Sequence, residues 1–80
     1  MNVAKQLQLH QVSTQICSVR LAHGEHVGNL KLIGGVWKFK AIGYDASGNV
    51  MPGGGPLTER HNTTFATLDE ALVNAGLALD

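Results

Sequence analysis

A run that no regular element can absorb divides this 80-residue chain: Pro52-Gly53-Gly54-Gly55-Pro56. Glycine loses the most backbone freedom on entering a helix or strand, and proline withholds a backbone donor. Regular structure must stop before this segment and restart after it. The two sides also differ in period: apolar residues alternate with polar ones upstream, whereas downstream they recur at helical spacing.

Upstream, the strongest strand signal is Val36 to Tyr44. Trp37, Phe39 and Ala41 take one side there, and Val36, Lys38, Lys40, Ile42 and Tyr44 the other. Gln15 to Ala22 alternates in the same way, with Cys17, Val19 and Leu21 opposite Ser18 and Arg20. After a turn at His23-Gly24-Glu25-His26, Val27 to Ile33 forms another run, with Leu30 and Leu32 on one side of Lys31. Gly34-Gly35 is a link of the kind that closes a tight hairpin. Asp45 to Asn49 turns the chain into a short Val50-Met51 strand, which Pro52 is expected to end. Residues 1–13 carry both periods: Val3 and Leu7 have helical spacing, while Leu7 and Leu9 alternate with polar neighbours. They read as a strand or a flexible lead-in.

Downstream, Asn62 to Phe65 suits one more short strand. Thr67-Leu68-Asp69-Glu70 then has the pattern of a capping box, with Thr67 as N-cap. Leu68, Ala71, Leu72 and Ala75 form an apolar stripe at i, i+3, i+4 and i+7, and Gly76 is the expected stop. The expected fold is therefore α+β: an antiparallel meander of three to five strands with one C-terminal helix packed on one face, in a single domain over 1–80. Leu68, Leu72 and Ala75 would meet Trp37, Phe39, Val19 and Leu21.

Eighty residues, 44% of them hydrophobic, hold one small core. A core of that size supplies only about 3–5 kcal/mol, which favours a further staple such as a dimer partner. Cys17 is the sole cysteine, so no disulfide closes within the chain. A lone thiol fits a reducing compartment, and the N-terminal residues lack the apolar centre of a secretion signal, so a cytoplasmic protein with no membrane association is expected.

The residues give little support for catalysis. His23 and His26, with His10, His61 and Cys17 as further donors, lack the spacing of a zinc site, so no metal or cofactor is expected. Cys17 lies on the apolar side of its strand and reads as a buried structural thiol. Glu59, Arg60 and His61 are adjacent, and neighbours on extended chain point to opposite sides. The glycine run lacks the lysine and immediate helix of a phosphate loop, since Pro56 and Leu57 follow it. The chain is thus not expected to be an enzyme.

Binding is better supported, at two places. One is the mixed basic and apolar strand face with Arg20, Lys38, Lys40 and Tyr44 beside Val36 and Ile42. The other is the loop, where Gly53, Gly54 and Gly55 precede Thr58, Arg60, His61 and Asn62. From Val36 to Gly76, with Phe65-Ala66-Thr67-Leu68-Asp69-Glu70-Ala71 at the junction, the coarse order of elements resembles two groups. They are double-stranded-RNA-binding domains and the three-stranded DNA-binding domains of plant transcription factors and phage integrases. The RNA-binding family carries lysines at the start of this helix, where this chain has Asp69 and Glu70. The resemblance to the DNA-binding domains implies contact through Arg20, Lys38, Lys40 and Tyr44, against which the zero net charge weighs. The expected role is a small interaction module with a protein partner or a second copy as homodimer, nucleic acid being the alternative.

Overall fold

The computed structural model describes residues 6–78. Strands β1 (Leu7–Ser13), β2 (Ile16–Leu21), β3 (His26–Ile33), β4 (Val36–Tyr44) and β5 (Val50–Pro52) follow one another across an antiparallel meander. A two-residue strand β6 (Thr64–Phe65) also pairs with β4, and helix α1 (Glu70–Leu77) ends the described chain. The fold class is the expected α+β. Pro52 belongs to β5 rather than ending it, because it sits opposite Ile42 at the sheet margin, where a missing N–H is tolerated.

The Gly34-Gly35 turn has positive φ at both residues (+58° and +83°), the geometry that matches strand twist in a two-residue hairpin. It fixes Ile33 opposite Val36 and sets the β3–β4 register. At the next turn, the Asp45 carboxylate accepts from the backbone N–H of Asn49 and of Ser47. Those bonds, the one from Asn49 N–H foremost, hold its pKa below the usual carboxylate range.

One face of the sheet carries the core: Leu7, Cys17, Val19, Leu21, Val27, Leu30, Phe39, Ala41 and, from outside the strands, Leu57, Val73 and Leu77. Phe39 is fully buried, and Trp37, on the same side, is partly buried against this cluster. Two residues of β3 oppose one step of β2 between Val19 and Arg20, so Val27 is an extra residue. The irregularity lets both Val27 and Gly28 be buried, which strict alternation forbids. Gly28 is needed there, because a Cβ would strike the Phe39 ring and lie 2.8 Å from the Lys40 carbonyl.

The helix differs from its sequence reading in three respects. Its N-cap is Asp69, not Thr67: Asp69 is extended and its carboxylate accepts from the Leu72 N–H at 3.0 Å. The buried stripe is Val73 and Leu77, not Leu68, Leu72 and Ala75; Leu72 is 55% exposed, Ala75 is exposed, and Leu68 is only partly buried against the core from before the helix. Two apolar stripes compete on this segment, and the one with Val73 also turns Asn74 toward β1. Gly76 lies within the helix rather than stopping it; a Cβ there would come within 2.5 Å of the Phe65 ring.

Asn74 closes the sheet's other margin. Its amide oxygen accepts from Leu7 N–H (2.7 Å) and its amide nitrogen donates to the Leu7 carbonyl (3.0 Å), while Glu70 accepts from Leu9 N–H. A side chain thus takes the place of a neighbouring strand along the first part of β1. The cap assignment predicts that Asp69→Ala costs about 1 kcal/mol. Thr67→Ala should stay within about 0.5 kcal/mol, as for an ordinary surface change. Urea melts of the two variants check the ranking.

Candidate binding face

The second face of the sheet has no described element packed on it. Pairing arranges its side chains in rows across the strands. One row runs Ile16, Lys31, Lys38, Thr64; the next runs His10, Ser18, Asn29, Lys40; a third holds Gln8, Arg20 and His26. The sequence reading placed Arg20, Lys38, Lys40 and Tyr44 on one surface. The structure puts all four on this face and adds Lys31 and Asn29. Counting back from the Gly34-Gly35 turn would have found Lys31, since Ile33 opposite Val36 forces Lys31 opposite Lys38.

The apolar part of this face is smaller than expected. Ile42 is only 8% exposed, because alternation puts it on this side but Pro52 pairs across from it; it offers a partner almost no surface. Tyr44 is 48% exposed and Val50, opposite it, is exposed at one end, with Ile33 and Val36 at the other. The basic residues lie between.

No strand from β1 to β4 contains an acidic residue. Among the described residues, the ion pair recorded is Glu25 with His23, 3.3 Å apart in the β2–β3 turn, and none joins Arg20, Lys31, Lys38 or Lys40. Asp69 and Glu70 stand on the helix layer, across the sheet. The near-zero net charge therefore hides a molecule with a cationic face. Directly opposed lysines repel, so Lys31 and Lys38 work against the sheet that carries them. Lys31→Thr should raise the unfolding free energy by about 0.2–1 kcal/mol. Thermal melts at low salt would show it, with the gain shrinking as salt rises.

The loop lies along the outer edge of β4, between β5 and β6. Gly53 N–H donates to the Ala41 carbonyl, and the Ala41 N–H donates to His61 Nδ1 at 3.0 Å. Phe39 exchanges backbone bonds with Asn62 and Thr63. Loop backbone and an imidazole thus complete the ladder where no strand runs. Gly53 and Gly55 have positive φ (+79° and +86°), and Gly54 does not. Gly55 abuts β4 so closely that a Cβ on Gly43 would lie 2.6 Å from its nitrogen. This backbone-to-backbone approach accounts for Gly43 and Gly55, and the positive φ for Gly53.

The polar residues after them are used internally. Thr58 Oγ1 donates to the Gly53 carbonyl. Arg60 donates through Nε and a terminal nitrogen to the Ala78 carbonyl, at the end of α1, where a cation also suits the helix dipole. Asn62, with φ +74°, accepts from Lys40 Nζ at 2.7 Å, which is where the loop meets the cationic face. Leu57, missed as a core residue because it stands inside a Gly/Pro run, is buried and anchors the loop.

Other candidates do not converge. Arg60 and His61 bond in different directions and Glu59 is exposed, so the acid, cation and imidazole share no site. His26 bonds Asn29 and His23 bonds Glu25, and no group of three or more potential metal ligands occurs among the described residues. Cys17 is buried, and desolvation, with a smaller push from Glu70, raises its pKa against a lowering bond to the His10 backbone. That keeps the unreactive thiol form at neutral pH. No helix among the described residues is long and apolar enough to cross a membrane. No protein-family model, curated protein or solved structure matches the chain, so geometry alone carries the reading of the site.

His61→Ala leaves the Ala41 N–H without its acceptor. It should cost about 1–3 kcal/mol, the penalty for an orphaned buried donor. Urea denaturation checks this, and accelerated amide exchange at Ala41 would locate the damage.

Proposed function

We propose that this chain is a small binding module, without catalysis of its own, which presents the open face of its sheet to an anionic macromolecular partner. The observation that carries this is the Lys31–Lys38 pair: like charges held directly opposite, with Lys40 in the next row, Arg20 in the row beyond donating to the Gly24 carbonyl, and no carboxylate on the strands to offset them. Such a face lowers the stability of the free protein and gains from an external anion. The divergence of Glu59, Arg60 and His61 supports binding over catalysis. The glycine loop has a supporting part, since it completes the β4 edge and sets Asn62 against Lys40.

Self-association through this face is the weaker reading. A two-fold dimer places the same patch on both copies face to face, so each lysine stripe would meet its own kind. Burial of Ile42 further reduces the apolar area such a dimer could use.

Chromatography on heparin tests the face as a whole. Wild type should be retained at low ionic strength, and a Lys31→Glu/Lys38→Glu variant should elute at clearly lower salt while its circular dichroism matches wild type. Flow-through of wild type at low salt would remove the proposal.

A further inference from the structure

Resting on that reading of the face, we infer that the partner is a nucleic-acid duplex, held by its phosphates through Lys31, Lys38, Lys40 and Arg20. Three observations favour this over an acidic protein surface. The first is position. Protein interfaces place apolar and aromatic residues at their centre and are depleted of lysine. Along β3 to β5 of this face the exposed apolar residues Ile33, Val36, Tyr44 and Val50 lie at the two ends, and the lysines occupy the middle.

The second is the polarity of the hydrogen-bonding groups. The Asn62 amide oxygen is taken by Lys40 Nζ, and the Asn29 amide oxygen by His26 Nε2 at 3.0 Å; an imidazole nitrogen facing an amide oxygen is the donor. Both acceptors are satisfied internally, which leaves the two amide Nδ2 groups for a partner. Gln8, His10 and Thr64 add neutral groups that can donate as well as accept, and no carboxylate stands on the strands, a set that suits phosphate oxygens. The third is spread. The four cations are distributed over β2, β3 and β4 and over three successive rows, so they extend about 10 Å across the strands and about 14 Å along them at the usual spacings. A regularly charged polymer meets such a spread without needing matched carboxylates. Among the described residues Tyr44 is the one exposed aromatic on the face, too few for the stacking platform that single strands use.

Fluorescence anisotropy with a labelled mixed-sequence DNA duplex of about 20 base pairs, titrated from ~50 to ~200 mM salt, tests this. The same-length single strand and polyglutamate serve as comparison probes. Four phosphate contacts predict a slope of log K against log salt of about −3 to −4. Lys31→Ala and Lys38→Ala, each verified as folded, should reduce that slope by about 1 apiece. Tighter binding of the single strand, or duplex binding that ignores both variants, would overturn the inference. Binding of polyglutamate without the duplex would overturn it too, yet leave the anionic-partner reading standing. Binding of none of the three probes would overturn both.

Discussion

Everything else in this structure depends on the outer edge of β4 being completed. β4 carries Phe39 at the centre of the core and Lys38 and Lys40 on the open face, so both faces need it held in one register. A strand so placed cannot leave its edge N–H and C=O groups unpaired under a covering loop. No single strand does the pairing. β6 bonds one end of β4, β5 the other, and between them Asn62, Thr63, Gly53 and the His61 ring supply the missing partners. The chain must leave the edge after β5 and return before β6, in a space too narrow for side chains. That requirement accounts for Gly43 and Gly55, which meet backbone to backbone.

The other edge is closed by a different device with the same physical purpose. Asn74 presents an amide with the donor and acceptor of a peptide group, so it can stand in for a strand beside Leu7. Helix α1 therefore does two jobs: Val73 and Leu77 seal the core, and Asn74 with Glu70 blunts the β1 edge. Arg60 ties the far end of this helix to the turn that follows the glycine loop. Loop, helix and both sheet margins are thus linked on the core side, and the opposite face is left with side chains that no described element covers.

Charge is sorted along the same division. The sequence is electrically two-ended: Arg20, Lys31, Lys38 and Lys40 fall in its first half, and Asp69, Glu70 and Asp80 in its last fourteen residues with no base among them. Folding turns that into two sides, because the strands carry Arg20, Lys31, Lys38 and Lys40 while α1 with its cap carries Asp69 and Glu70, with Arg60 at the far end of the helix. A cationic sheet face opposite a weakly acidic helix layer follows from where the elements lie, at no cost in net charge.

The strands were legible in the sequence because a period of two is a local property that survives whatever the strand packs against. β4 and the tight turn before it could be read residue by residue, and so could the basic side of β4. Helix existence was equally plain, but its cap and buried stripe were not. Thr67 and Asp69 are both competent caps, and two apolar stripes share the segment; the choice fell to contacts with β1 and Phe65, which are remote in sequence. Val27 turned inward for a similar reason, through an extra residue in β3 that alternation cannot announce. The loop was marked as special by its glycines, though the partners of Thr58, Arg60, His61 and Asn62 emerged only in three dimensions. Local pattern and turn chemistry determined which elements form. Long-range pairing decided which polar groups are used up within the protein and which are left for a partner, because satisfying a backbone donor depends on what folding brings beside it.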